Sequence, residues 1–300
     1  MRNRTSARTF WILGLALAGA ACASDRSLAP AGTVLTDVQV STDVAVSSGV
    51  AAANTLLDQG ESLTDMGISP TIITAATLGH VTARPAGDGS PPPATTAPAA
   101  APRPVCTYAA STGHWDCAPF TNQRGLLVTR SFAYFDASGH AMQRYDALAT
   151  ATINYRTLVS GPVGDGTTFA GVTHRTSDQT TSGLLGNEST RVWDGFGVSA
   201  DTNSHRNGTT VRDYAGVRID SLRSVTFAHP RAPGAFPLSG QMVQVANFTV
   251  TSTGKSSETR SVSRRIVTTF NGTALATIRT GSVTCTLHLD TRKVDGCTAG

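Results

Sequence analysis

The chain has 300 residues, 40% hydrophobic and 15% charged, so it has enough apolar side chains to bury a core and is not disordered throughout. Its formal net charge is +4, but three of its 24 basic residues lie within the first 21 positions, which hold no acid. The remainder has 21 bases against 20 acids, a balance that excludes the strongly basic character of a nucleic-acid-binding protein.

The first 21 residues have the pattern of an export signal. Arg2, Arg4 and Arg8 form a basic start, and an apolar run over 10–20 follows them. This run is too short to span a bilayer and has the length of a signal-peptide core. A stretch of small residues then directly precedes Cys22.

This arrangement resembles the lipobox of bacterial lipoproteins, in which a peptidase cuts before a cysteine that is acylated by fatty acids such as palmitate. The resemblance implies that 1–21 are removed as a signal peptide, that Cys22 is the lipidation site, and that 22–35 tether the chain to a membrane. Because Ala23 and Ser24 rather than an acid follow the cysteine, it also implies an outer-membrane location. Cleavage after Ala23, giving a secreted or periplasmic protein, is the alternative.

The other four cysteines are even in number once the lipidated one is set aside. An exported protein meets an oxidising environment, in which paired thiols form disulfides. Cys106 and Cys117 lie in a frame similar to that of Cys285 and Cys297, and each frame is typical of a hairpin closed across its mouth. We therefore predict these two local disulfides. Neither pair has Cys-x-x-Cys spacing or an accompanying histidine cluster, so no metal site is predicted.

Residues 36–84 are predicted to form a small helical or extended segment. Thr36 and Gln39 fit a capping box, and Gly60 is a plausible end of the helix. Apolar residues between them recur at helical spacing. They are Val46, Val50, Ala53 and Leu57.

The next segment, 85–104, holds seven of the 14 prolines and is predicted to be a Pro- and Ala-rich linker. Residues 105–300 then alternate short Val-, Thr- and aromatic-rich segments with turn residues, which predicts a mainly β domain. Asn207-Gly208 and Asn271-Gly272 are typical of two-residue type I′ turns. About ten strands in one flat sheet would leave long edges, so we expect an antiparallel meander forming a curved sheet, half-barrel or sandwich.

One pair of charges in this domain suggests a ligand. A two-residue loop at Asn271-Gly272 pairs Phe270 with Thr273 and places Arg264 opposite Arg279. Like charges facing each other across strands are destabilising unless solvent, an acid or an anion separates them. The sequence therefore suggests a weak anion site at Arg264 and Arg279, for phosphate or an acidic glycan. Two solvated arginines splayed apart are the alternative.

No standard catalytic signature occurs in the sequence, and the seven histidines are scattered, so no catalytic residue and no cofactor is predicted. His174 and Asp178 lie four residues apart with Ser177 and Ser182 near them, a pattern that could orient an imidazole for a serine nucleophile, but this spacing does not guarantee that geometry. The leading prediction is a non-enzymatic, exported lipoprotein with a structural or interaction role, held at the membrane by its lipid anchor. Its partner would be a protein, glycan or lipid. The alternatives are a half-barrel carrier of a lipid or other apolar ligand, and a hydrolase with a site assembled from dispersed residues.

Overall fold

The computed structural model describes residues 35–65, 104–122, 124–229, 235–254 and 257–300. Over this part the chain forms one α-helix, α1 (Asp37–Asp65), followed by thirteen strands of a single sheet. The strands are β1 (Cys106–Ala109), β2 (His114–Thr121), β3 (Leu127–Asp136), β4 (Ala141–Met142), β5 (Thr150–Gly164), β6 (Phe169–Ser182), β7 (Thr190–Asn207), β8 (Thr210–Ala228), β9 (Ser239–Thr253), β10 (Glu258–Thr269), β11 (Leu275–Thr280), β12 (Val283–His288) and β13 (Lys293–Ala299). The predicted signal peptide, Cys22 and nearly all of the predicted tether and linker lie outside the described residues.

The sheet is an antiparallel meander, as predicted. Each strand pairs with the next along the chain, except that the short β4 pairs only with β3, which then pairs with β5. The central strands are longer than the sequence suggested, and β7 and β8 have 18 and 19 residues. The far end of β7 buries the polar residues Asp201, Asn203 and His205, and the far end of β8 buries the apolar residues Leu222, Val225 and Phe227.

The sheet curves around α1 and stays unclosed. The helix contacts β9 to β13, while the Gln59 amide near its other end reaches Thr181 of β6. A flat sheet from β6 to β13 would be about 30 Å wide, roughly three times the diameter of a helix, so both contacts require a curved sheet. The half-barrel form is therefore the one that this chain adopts.

Bulges help to bend the central strands. The pairing of β7 with β8 shifts at Gly195, whose φ is 150°, and an added Cβ there would lie 2.5 Å from the Asp178 carbonyl oxygen. Only glycine fits this position. On the adjacent strand, the Ser224 N–H donates to the Asp194 carboxylate at 2.7 Å. Bulges of this kind increase local bend and twist.

The capping box of α1 is confirmed, since the Thr36 N–H donates to Gln39 Oε1 and the Gln39 N–H donates to Thr36 Oγ1. The predicted end at Gly60 is wrong, because the helix continues to Asp65. A glycine inside a helix costs only about 1 kcal/mol. Packing of the buried last turns against the sheet outweighs that cost.

The main core lies between α1 and the inner face of the sheet and includes residues from β3 to β12. Leu56 and Leu57 of the helix are at most 2% exposed and belong to the same buried cluster as isoleucines and leucines of β10 to β12. The side chains at the centre of this core are Val40, Val44, Leu56, Leu57, Leu63, Met242, Ile266, Ile278 and Leu287. A domain boundary between the helix and the β domain is thus not visible in the packing.

Both predicted hairpins form, but neither has the predicted turn. Asn207 pairs with Thr210, so the two-residue loop is Gly208-Thr209, and of these two only Gly208 has positive φ. β10 and β11 are joined by the five residues 270–274. The longer loop forms because Asn271 Oδ1 accepts hydrogen bonds from the following Thr273, which closes an Asx turn.

The longer loop shifts the predicted β10–β11 register by three residues. Arg279 lies opposite Val267, and Thr280 lies opposite Ile266. A shift by an odd number exchanges the faces. Arg264 therefore points to the face that carries α1, whereas Arg279 points to the other face, and the predicted arrangement of two facing arginines is wrong.

Candidate functional site

The predicted disulfides are both present. Cys106 is bonded to Cys117 across the β1–β2 hairpin, and Cys285 is bonded to Cys297 across the β12–β13 hairpin. The first hairpin lies at one edge of the sheet and the second at the other. Each disulfide therefore fastens an edge strand to its only neighbour.

The two predicted anion-site arginines have separate surroundings. Arg264 donates through Nη2 to the Asp37 carboxylate at 3.1 Å and through Nε to Ser41 Oγ at 3.2 Å, so it holds the start of α1. Arg279 is exposed on the other face of the sheet. The geometry brings no anion site together from these two side chains.

The His–Asp pair on β6 also does not form a dyad. His174 and Asp178 lie on the same face of the strand four residues apart, which separates them by about 13 Å. Asp178 instead accepts hydrogen bonds from Asn154 and Arg156 of β5. No cluster of three or more metal-ligating side chains occurs among the described residues.

The most unusual part of the molecule is the polar contact between α1 and β6 to β8. Asp43 of the helix is 6% exposed and accepts two hydrogen bonds from Arg212 of β8, at 2.6 and 3.0 Å, and one from the Tyr214 hydroxyl at 2.8 Å. His205 of β7 lies 3.7 Å from the same carboxylate. Burial raises the pKa of Tyr214 and lowers the pKa of His205.

Two further ion pairs continue this contact along the helix. Arg218 donates to Asp201 at 2.7 Å, and Arg175 donates to Asp220 at 2.9 Å and to the Thr55 hydroxyl of α1. The four charged side chains are all at least nine-tenths buried. The two arginines also bond to α1, Arg175 through Thr55 and Arg218 through the Ser47 carbonyl, and the two paired carboxylates are not free to act as general bases.

The last turns of α1 bind the chain just before β3. Arg124 donates to the Asp58 carboxylate, and both side chains are largely buried. Together with the pairs above, this gives four arginines and four aspartates between helix and sheet. The buried cluster is thus electrically balanced when His205 is neutral.

An open cleft, here called the seam cleft, lies where the unclosed sheet leaves α1 uncovered. Its volume is about 730 Å³. The helix forms its floor, and the β5–β6 and β12–β13 hairpins form its walls. Its lining combines apolar side chains with charged side chains of both signs, and includes Val46, Val50, Asn54, Arg124, Leu126, Val163, Asp165, Phe169, Arg292, Lys293, Val294 and Asp295.

A small inner cavity of about 40 Å³ lies between α1 and β5 to β8. Five of the seam-cleft residues also line this cavity, namely Val50, Asn54, Leu126, Val163 and Phe169. The guanidinium groups of Arg175 and Arg218 form part of its wall. The Nε atoms of both arginines and Oδ1 of Asn54 are buried without a hydrogen-bond partner among the described residues.

The outer face of the sheet, away from α1, is apolar at its centre. Phe196 is 57% exposed, and Leu158 and Ile219 are each 47% exposed. The register places Val198 between Thr176 and Ile219 in one cross-strand row. We call this surface the outer patch, and its members are Leu158, Val172, Phe196, Val198, Val217, Ile219 and Val245.

The polar contact was not predicted from the sequence, because the prediction for α1 rested on its apolar stripe alone. A second, polar stripe was available: Asp43, Ser47, Asn54 and Asp58 recur at helical spacing. In the same way, the inward positions of β8 include three charged residues, Arg212, Arg218 and Asp220, which is unusual for a buried sheet face. Two polar patterns of matching period predict that the two surfaces pack together.

No family model matches the chain, and comparisons with curated proteins and with solved structures likewise find no match. Among the described residues, no helix combines the length and the apolar character needed to span a membrane.

Proposed function

We propose that the chain is an exported lipoprotein, anchored through Cys22, whose β domain is a non-enzymatic binding module. The observation that carries this proposal is the outer patch. Contiguous exposed apolar surface marks interaction sites in soluble domains. The twelve outward positions of β7 to β9 that surround Val198 and Val217 hold no charged residue.

The chemistry of the outer patch favours a protein partner. Its side chains are aliphatic, with Phe196 as the single aromatic, whereas glycans and single-stranded nucleic acids are bound by flat aromatic platforms and charged groups. The patch over β5 to β9 measures about 24 by 27 Å, which is about 600 Å² and close to the area that one partner contributes to a specific interface. The partner would therefore offer a matching uncharged, apolar surface.

The concave face supports a binding role more than a carrier role. In a half-barrel carrier the ligand fills the curve of the sheet, but here α1 fills it and is held by the ion pairs of Asp43 with Arg212 and of Asp58 with Arg124. A hydrolase needs a nucleophile, a base and an orienting group within hydrogen-bond reach. The buried carboxylates of the helix contact are instead each bonded to an arginine.

The test is photo-crosslinking in the native host, with a photoreactive residue placed at Val198 in the full chain. We expect one adduct with a protein of defined mass. The matched control places the residue at Thr259, on the same face of β10 but outside the patch. Ile219→Asp, beside the probe and exposed, is expected to abolish the adduct while leaving the unfolding free energy within about 0.5 kcal/mol of the parent.

An adduct that persists in Ile219→Asp, or that forms equally from Thr259, would overturn the proposed interface. An adduct of the chain with a second copy of itself would replace the partner protein by self-association. The anchor is tested separately by the mass of the mature N-terminus. A diacylated or triacylated Cys22 is expected, and a chain that begins after Ala23 without lipid would overturn that part.

A further inference from the structure

We infer that the partner protein of the outer patch carries an acidic side chain beside its apolar surface, and that Arg265 and Arg279 bind this side chain. The inference rests on the proposed function, because it specifies the partner of the same surface. It starts from the observed register of β10. Arg265 lies opposite Val245, which belongs to the outer patch, and Arg279 lies opposite Val267, two residues further along β10.

This register makes the two arginines neighbours on the outer face of the sheet. Arg265 and Val267 share a face, and Arg279 is directly across from Val267, so the two arginines are diagonal neighbours about 7–8 Å apart. We call Arg265 and Arg279 the basic border. One cross-strand row runs through Val198, Ile219, Val245 and Arg265, so the basic border is continuous with the outer patch.

The basic border has no counter-charge of its own. Neither guanidinium group has an ion pair or a hydrogen bond within the described part of the chain, and Arg279 is exposed. On the outer face of β9 to β13 the one described acid is Asp295, whose carboxylate lies 3.0 Å from His288 Nε2. Like charges close together on one face are unfavourable until an opposite charge joins them. An external carboxylate would therefore bind favourably here.

The other side of the outer patch has a different charge pattern. A groove of about 610 Å³ lies there, and Leu158 of the outer patch is part of its lining. Asp116 at this groove is exposed and has no ion pair with a described residue, while Arg156 is already paired with Asp178 at 2.9 Å. An acidic side chain thus finds its unpaired cations on one side of the outer patch only. Such asymmetry fixes the orientation in which a partner docks.

The position of the basic border favours a protein carboxylate over a free anion. Ion pairs that stay in contact with solvent contribute little to binding, so two exposed arginines alone would not hold a small anion. The contribution is larger when the apolar surfaces of two proteins exclude water beside the pair. A carboxylate also matches the planar guanidinium group of arginine. The partner would therefore cover the outer patch and place its acidic side chain at the border.

The test extends the photo-crosslinking experiment with the full chain in the native host. A second photoreactive residue is placed at Thr284, which lies opposite Arg279 on β12 and outside the outer patch. We expect it to form an adduct with the same protein that the probe at Val198 captures. Mass spectrometry of the Thr284 adduct identifies the partner segment that lies at the basic border, and this segment is expected to contain an acidic residue.

Charge reversal measures what the basic border contributes. Arg265→Glu combined with Arg279→Glu is expected to lower the adduct yield from Val198 by at least about tenfold, because like charges would face each other across the interface. Arg265→Lys combined with Arg279→Lys keeps both positive charges and should retain most of the yield. The matched control is Arg144→Glu combined with Arg206→Glu, which changes the net charge equally at two exposed positions outside the outer patch. It should give the yield of the parent.

A charge exchange completes the test. Replacing the acidic residue of the partner segment by lysine should restore the adduct of the chain that carries both glutamates. A yield that charge reversal leaves unchanged, or that the control pair lowers equally, would overturn the inference while the outer patch remains the interface. A Thr284 adduct with a lipid or a glycan in place of the protein would overturn it as well. The absence of any adduct from Val198 in the parent would instead overturn the proposed function, and this inference with it.

Discussion

At the scale of single residues, Asp43 shows how the helix is fixed to the sheet. Its carboxylate is buried and accepts three hydrogen bonds from β8. A buried ion pair adds little net stability relative to an apolar pair, but removing one partner leaves a buried charge without compensation. Removing the Asp43 carboxylate is therefore expected to destabilise the protein mainly because Arg212 would stay buried without a counter-charge.

Asp43→Ala is expected to lower the free energy of unfolding by about 3–5 kcal/mol, because Arg212 would remain buried and unpaired. The measurement is equilibrium urea unfolding. The matched control is Asp37→Ala on the same helix, which pairs with Arg260 and Arg264 through a carboxylate that is 78% exposed. This control should lose less than about 1 kcal/mol, and a similar loss for both variants would contradict the prediction.

The neighbouring His205 makes stability depend on pH. Burial lowers its pKa, Asp43 opposes that shift, and the positive charge of Arg212 reinforces it. The unfolded chain therefore binds a proton at a pH where the folded chain does not. Stability is complete above the ordinary histidine pKa of about 6.5 and decreases as the pH falls below it.

His205→Gln should weaken this dependence when unfolding free energies are compared between about pH 7.5 and about pH 5.5. His229 is partly buried, and burial and the nearby Arg191 lower its pKa, so it contributes in the same direction. A residual slope is therefore expected. A His205→Gln variant that keeps the full slope of the parent would contradict the prediction.

Local pairing was predictable at this scale, whereas register was not. The Cys106–Cys117 pairing was predictable because the two cysteines are close in sequence and turn residues separate them within one hairpin. The register of Arg264 and Arg279 depended on the length of one turn. The hydrogen bonds between Asn271 and Thr273 lengthened that turn, and no pattern of apolar residues reports on such a bond.

At the scale of elements, α1 is a helix with two different partners. Its apolar side packs on β9 to β13, and its polar side is bonded to β6 and β8. The sequence predicted where the helix begins, because a capping box is a local signal. It did not predict where the helix ends, since the last turns are stabilised by a sheet that comes later in the chain.

Gly49 marks the closest approach of helix and sheet. An added Cβ would lie 2.5 Å from Val294 Cγ2 and 2.6 Å from Ile278 Cδ1. Gly49→Ala would favour the isolated helix by about 1 kcal/mol, but we expect the overcrowding to exceed this gain and to lower the unfolding free energy by roughly 1–3 kcal/mol.

The control for this prediction is a second substitution that makes room. Ile278→Val removes the methyl group that the new Cβ would meet, so the double variant should recover part of the loss caused by Gly49→Ala. A strictly additive double variant, measured by the same urea unfolding, would show that the close approach is not the cause.

At the scale of the whole molecule, an unclosed sheet has two edges, and each is fastened by a disulfide. The two bridges close loops of nearly equal length, with sequence separations of 11 and 12. The loop-entropy contribution should therefore be about equal, near 3 kcal/mol each. The edges differ in one respect, since β13 also packs against α1.

Replacing Cys285 and Cys297 by serine should therefore lower the unfolding free energy by more than replacing Cys106 and Cys117. We expect about 3 kcal/mol from loop constraint in each case, with a further loss for the β13 pair because the helix loses part of its cover. Urea unfolding of both double variants, without reductant, measures the difference. Equal losses would indicate that loop constraint alone accounts for both bridges.

Fold class was the most predictable property of the whole molecule. The alternation of residues after 105 and the turn signals between segments favour an antiparallel meander, and edge avoidance favours a curved one. The inward polar residues of β6 to β8 were not predictable from either rule alone, because their partners are on a helix more than a hundred residues away. The seam cleft results from the packing of α1 against the sheet, so it was not predictable from the sequence either.

The position of α1 in the chain sets the order in which the domain assembles. The helix leaves the ribosome before any strand, while the strands against which it packs end at Ala299. The core between α1 and the sheet is complete only when all of its strands have formed. Contacts between segments that are distant in sequence form slowly. The helix is therefore the first element to be synthesised and among the last to complete its packing. During synthesis, the apolar face of α1 therefore stays without its complete packing surface until the β12–β13 hairpin has been made.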